Sequence, residues 1–187
     1  MNINEYDKNK YEGLIRYSYM GIVWTHKIHE KQADLYLRRK HTFDVVRIIS
    51  SSLTAAGLIS IIFEYDVLWI KLLTALISFV TLVMEALSKS YDFDSLVASH
   101  RNVASALLEI RDSYQHLIYK AQEGETSIAD LDSEYQKLEK KKHSIYKEAP
   151  RTTDRAVEMA RVALHVNKDN EFLDEDIDAA LPRCLRR

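Results

Sequence analysis

Apolar residues follow two different rhythms along this chain. Tyr11, Ile15, Tyr19, Ile22, His26, His29, Ala33 and Tyr36 recur every three or four positions, while Lys27, Glu30, Lys31, Arg38 and Arg39 fall between them. That spacing predicts an amphipathic helix with one face to bury. Leu96, Val103, Leu107, Ile110, Tyr114 and Leu117 trace a similar face further on, ending near the turn at Gly124. The two helices are expected to pack together. A third helix, Ile128 to Ala149, carries a thinner seam of Leu131, Tyr135, Leu138 and Ile145. Pro150 stops it, and Thr153 with Ala156, Val157, Ala160 and Leu164 predicts one more short helix.

Between the first two amphipathic stretches the rhythm gives way to continuous hydrophobicity. Val45 to Tyr65 reads VVRIISSSLTAAGLISIIFEY, and Val67 to Leu87 reads VLWIKLLTALISFVTLVMEAL. At about 1.5 Å per residue, roughly 20 helical residues cross the ~30 Å hydrocarbon core of a bilayer. Arg47, Glu64, Lys71 and Glu85 sit near the ends of these windows, where side chains can snorkel to the interface. The alternative is a buried hairpin in a soluble bundle. Against it, Leu58 to Phe63 and Leu72 to Met84 offer only hydroxyls between apolar residues, with no polar stripe for water. The fold class read from these patterns is an all-α membrane protein whose two-helix transmembrane hairpin is flanked by long cytoplasmic amphipathic helices. Its expected divisions are an N-terminal amphipathic helix (1–44), the hairpin (45–88, with helices 45–65 and 67–88), and a C-terminal helical region (89–187) with a tail from about 168.

Charge placement sets the expected orientation. Arg38, Arg39, Lys40 and Arg47 precede the first span, Lys89 and Arg101 follow the second, and Glu64, Tyr65 and Asp66 make an acidic connection. The positive-inside bias puts both termini in the cytoplasm, with Tyr65, Trp69, Tyr91 and Phe93 at the interfaces. The polar first residues, MNINEYDKNKYEG, do not read as a cleavable secretory signal.

A second pattern runs inside the spans. Lys71, Thr74, Ser78, Thr81, Glu85 and Ser88 line one face of the second helix, and Ser50, Thr54, Gly57 and Ser60 make a weaker counterpart on the first. Such faces are satisfied by packing on another helix or by lining water. Ser50, Thr54, Gly57 and Ser60 are read as packing residues. Lys71, Thr74, Ser78, Thr81 and Glu85 are candidates for a pore lining, with packing as the open alternative. One hairpin cannot enclose a lumen, so the pore reading requires a homo-oligomer with the second helix innermost.

Little in the composition points to catalysis or a cofactor. The chain has 4 glycines in 187 residues and no phosphate loop or nucleophile elbow. Its net charge of −2 predicts no direct nucleic-acid binding, and the single cysteine, Cys184, has no partner for a disulfide. His26 and His29 with Glu30 could place two metal ligands on one helical turn, but without a third defined ligand; His100, His116, His143 and His165 are too dispersed to add one. No metal is expected. The lysine-rich run from Lys137 to Lys142 reads as a solvated helix face, or else as a contact for anionic headgroups.

The order of these elements, with HRNVASALLEIR at His100–Arg111 and IYKEAPRTTDRAVEMARVAL at Ile145–Leu164, resembles the SLATT domain proteins, bacterial two-helix membrane effectors. The resemblance spans nearly the whole chain. Its most specific piece is the IYKEAP turn followed by Thr and an Ala-rich helix. It implies the effector arm of an antiviral conflict system in the bacterial inner membrane, working with a nucleotide synthase, a nucleotide sensor or a reverse transcriptase. The implied action is permeabilisation that arrests or kills the infected cell. A non-conducting anchor or adaptor that recruits a cytoplasmic partner is the other reading.

Overall fold

The computed structural model describes residues 3–62 and 67–186, with side chains described for 9–59 and 67–186. Helix α1 runs without interruption from Ile3 to Ile62. It merges the amphipathic stretch and the first apolar window into one rod roughly 90 Å long. No proline falls inside it, and its glycines stand singly, so nothing in the sequence forces a stop. Helix α2, Leu68–Tyr91, turns back along it. The connection Glu64, Tyr65, Asp66 expected from the sequence lies outside the described residues. Both helices are long and apolar enough to cross a membrane, and the qualifying stretches are almost entirely exposed on the chain itself. A soluble core helix would be buried there.

A single residue separates α2 from α3, Phe93–Glu123. Asp92 takes the left-handed conformation (φ 35°), which lets the chain change direction at once, and its carboxylate accepts a hydrogen bond from the Ser95 N–H at 3.2 Å. Gly124 (φ 74°) closes α3. Helix α4, Ile128–Glu148, starts from a Ser127 cap and ends just before Pro150. Helix α5, Asp154–Arg161, is capped by Thr153, and one π turn, Val162–Val166, extends it. A short α6, Asp174–Ala180, lies in the exposed acidic tail.

The first half of α1, α3 and α4 form a three-helix bundle outside the apolar hairpin. Its core joins Ile15 and Ile22 to Leu107, Ile110, Tyr114 and Leu117 and to Leu131 and Tyr135. Nearer the hairpin, α5 replaces α4: Ala156 and Ala160 are fully buried against Ile28 and Leu35. The predicted apolar faces thus line this core, while Ile28, Leu35 and the buried Lys27, outside the predicted stripe of α1, widen its packed surface. The lysine run is far from the hairpin. Its neighbour Glu139 bonds to Tyr114, which stands roughly 30 Å along α3 from Phe93. Lys137, Lys140 and Lys141 are exposed there, as a solvated face.

Candidate functional site: the hairpin seam and the bundle above it

Small residues set how closely α1 and α2 approach. Ser50 and Thr74 are buried, and Thr54, Gly57, Ser78 and Thr81 are half-buried, all on the facing sides of the two helices. A Cβ at Gly57 would overlap the Thr74 side chain, so this crossing requires glycine. The hydroxyls are satisfied mainly within their own helices. Thr54 donates to the Ser50 carbonyl at 3.0 Å, Thr74 to Ile70 at 2.8 Å, Ser78 to Thr74 at 2.8 Å and Thr81 to Ile77 at 2.9 Å. Across the seam only a long Ser78–Thr54 contact, 3.4 Å, is made among the described residues. The helices are therefore held by close packing of small groups. The side chain of Ser60 lies outside the described residues.

The two edges of the hairpin differ. Val46, Ile49, Leu53, Leu76, Ile77 and Val80, with Ser50, line an apolar groove of about 280 Å³ along one edge. At 100° per residue the opposite edge is mixed: it carries Lys71, Ala75, Ser78, Leu82 and Glu85 from α2, beside Arg47, Ser51, Thr54 and Leu58 from α1. Lys71 and Glu85 are exposed, Ser78 partly so, while Thr74 is enclosed by the seam. The polar stripe read as a unit from sequence is thus split, with hydroxyls toward α1 and ionisable ends at the rim.

In the bundle, Gln32 explains the turn that follows α4. It is 1% exposed, and its side-chain carbonyl accepts from both the Thr153 N–H (2.9 Å) and the Thr153 hydroxyl (2.8 Å). Thr153 in turn caps α5. Pro150 thus ends one helix, and three residues later Thr153 fastens the next to α1. Further out, Glu139 accepts from Tyr114 (2.7 Å) and Ser18 (3.0 Å) and pairs with Lys142, tying α1, α3 and α4 together. Burial raises its carboxyl, but the Lys142 ammonium and the two hydroxyls outweigh this and hold it below the usual range.

A histidine pair lies between these two ties. His29 on α1 and His100 on α3 are 3% and 1% exposed, with their Nδ1 atoms 2.9 Å apart. Burial, then the neighbouring His100 and His26, lowers His29 to about 4, and burial lowers His100. Sequence reasoning placed His29 on the face expected to pack and set His100 aside as too dispersed to join a metal set, because 71 intervening positions hide a contact that only the helix register reveals. His26 Nε2 stands 3.7 Å from Glu30. Among the described residues no three potential ligands converge as a metal site. Beside His26 a polar cavity of about 430 Å³ is lined by Glu30, Lys31, Asp34, Arg101 and Ser105.

Two apolar antiparallel helices continuing directly into a helical bundle, with Thr153 anchored at the Pro150 turn, match one family model over residues 11–176: SLATT_4, the SMODS and SLOG-associating 2TM effector domain family 4. The chain belongs to that family. No curated protein and no solved structure matches it. As a SLATT protein it is a two-helix membrane effector, and the apolar hairpin is its transmembrane part. The IYKEAP turn lies within the matched region, and Thr153, three residues after its proline, docks on Gln32.

Proposed function

We propose that this SLATT protein is an oligomeric, non-enzymatic effector of a bacterial antiviral defence system that permeabilises the inner membrane and arrests or kills the infected cell. The supporting observation is the asymmetry of the hairpin. One edge is an apolar groove and the other carries Lys71, Ser78 and Glu85. Unlike edges suit head-to-tail contacts, which close into rings when the rotation permits. In such a ring the polar edge would border both the neighbour's groove and the lumen, with Lys71 and Glu85 at opposite ends. Thr74 joins that lining only if α2 rolls away from Gly57, and Thr81 is exposed further by the same motion. The flanking cations favour both termini in the cytoplasm, where the bundle would meet a signalling partner such as a nucleotide synthase, a nucleotide sensor or a reverse transcriptase.

Dye release from liposomes carrying the full chain tests this reading. Lys71→Leu and Glu85→Leu remove the charges of the polar edge and, both being exposed, leave the Gly57–Thr74 crossing intact. Loss of release with retained insertion supports the lumen, and unchanged release sinks it. The second reading, a non-conducting anchor or adaptor, is favoured by the hydroxyls being satisfied inside the hairpin. It expects cellular function to survive exchange of the hairpin for an unrelated one.

A further inference from the structure

A row of rings connects the buried histidine pair to the α2–α3 junction. Tyr36 packs on His100 with centroids 5.6 Å apart, and Phe93 lies 6.5 Å beyond Tyr36. Phe93 is itself buried, 5.4 Å from Phe43 and stacked on Tyr91 at 5.7 Å. Asp92, the left-handed residue at which the chain turns, lies between Tyr91 and Phe93.

The pair's surroundings suit neutral rings. At 2.9 Å, one Nδ1–H donates and the other Nδ1 accepts. A first proton can enter only at the outer nitrogen of the donor ring, leaving a buried cation. A second must occupy the accepting Nδ1 and removes the hydrogen bond. The charged and titratable groups nearby do not offset this. From α1 they are His26, with Lys27 and Glu30 behind it. From α3 come Arg101, beside His100 in sequence, and Arg111, which acts on His26. The segment after α5 brings Asp169, which pairs with Lys27, while α5 itself meets α1 here through the uncharged Thr153–Gln32 contact. The Glu139–Lys142 pair of α4 meets α1 at Ser18, roughly 16 Å along the helix.

We infer that the His29–His100 pair is a proton-operated latch: acidification on the bundle side of the membrane loosens α1 from α3 there and, through Tyr36 and Phe93, releases the Asp92 junction that sets α2 against α3. The inference holds whether the hairpin conducts or only anchors. If it conducts protons, opening would acidify the cytoplasm and reinforce itself.

The test uses the full chain in lipid nanodiscs with Cys184→Ser, carrying spin labels at Leu82→Cys on α2 and Leu108→Cys on α3. Distance distributions are recorded from pH 7.5 to 4.5, and nitrogen-15 histidine spectra are recorded alongside on the unlabelled protein. We expect the distance to shift between pH 6.5 and 4, with the released population raised roughly tenfold at pH 5.5 by His29. His29 and His100 should titrate below the ordinary histidine value. His29→Asn with His100→Asn, which keeps hydrogen-bonding groups that do not titrate, should abolish the shift, and His116→Asn should not. An unchanged wild-type distance, or ordinary titration of His29 and His100 in the folded protein, overturns the latch without reference to leakage. So does a shift that survives in the double asparagine variant. Should that variant fail to fold, Tyr36→Leu decides the relay: low histidine titration with no distance shift supports it, and a retained shift overturns it.

Discussion

Gly57 is where the hairpin's geometry is most narrowly determined. Its missing side chain leaves the space that Thr74 fills, so even Ala must push the helices apart or displace a threonine bonded to its own backbone. Gly57→Leu should prevent closure of the hairpin, seen as loss of a disulfide engineered across α1 and α2, while the extramembrane bundle keeps its helical signal. At Gln32 the cost is chemical. Gln32→Leu fills similar space but leaves the Thr153 N–H and hydroxyl without their acceptor, for about 1–3 kcal/mol, and Thr153→Ala removes the cap and should cost about 1 kcal/mol. Protease sensitivity near residues 149–154 would report both. Glu139 has a lowered pKa in the fold, so its contribution is present above the ordinary carboxylate pKa and is lost as pH falls through the lowered one. His29 acts in the same direction at higher pH. Unfolded it binds a proton near 6.5 and folded only near 4, so stability should decline as pH drops through that interval. A thermal-melt series in the wild type and His29→Asn separates the two contributions.

At the scale of elements, the continuity of α1 matters most. A helix roughly 90 Å long carries any tilt imposed on the bundle directly into the membrane. The other span meets the bundle through the Asp92 turn, so the two strands of the hairpin are coupled to the bundle differently: one rigidly, one through a joint. Asp92→Ala removes the Ser95 cap and places a residue poorly suited to φ 35° at the turn. We expect the α2–α3 distance distribution to broaden in this variant at neutral pH while the Ile15–Leu107–Leu131 core keeps its hydrogen-exchange protection.

For the whole molecule the decisive property is the exposed apolar surface of the hairpin. Leu72, Leu76, Phe79, Leu82 and Val83 all stand in the open, on helices whose partner-facing side is built of small polar groups. The arrangement inverts a soluble protein and suits a lipid surround. Extraction should therefore require detergent, and alkaline carbonate washing should leave the protein in the membrane fraction. Release into the wash would restore the soluble-bundle reading. The surface also bears on assembly, because one edge of the hairpin is grooved and the other polar; crosslinks between copies should join unlike edges, for example Leu53→Cys to Ala75→Cys in preference to either residue with itself.

Sequence by itself determined the kind of the main helices, while the structure joined the N-terminal amphipathic stretch and the first span into the single helix α1. Apolar windows of spanning length, charged only near their ends, read directly as membrane helices because lipid imposes a single requirement on every position, and the 3.6-residue rhythm named the faces of α1, α3 and α4 because burial is repetitive. The IYKEAP turn and its threonine carried the family likeness without showing their purpose. Tertiary structure decided the rest. Which way the α2 stripe faces depends on the rotation of one helix against another, and no local pattern records that, so only the packing shows Thr74 enclosed against Gly57 in the single chain. His29 with His100, and Gln32 with Thr153, are pairs 71 and 121 positions apart. Each residue alone is an ordinary polar side chain near a helix face, and only the packing of distant segments turns it into half of a contact.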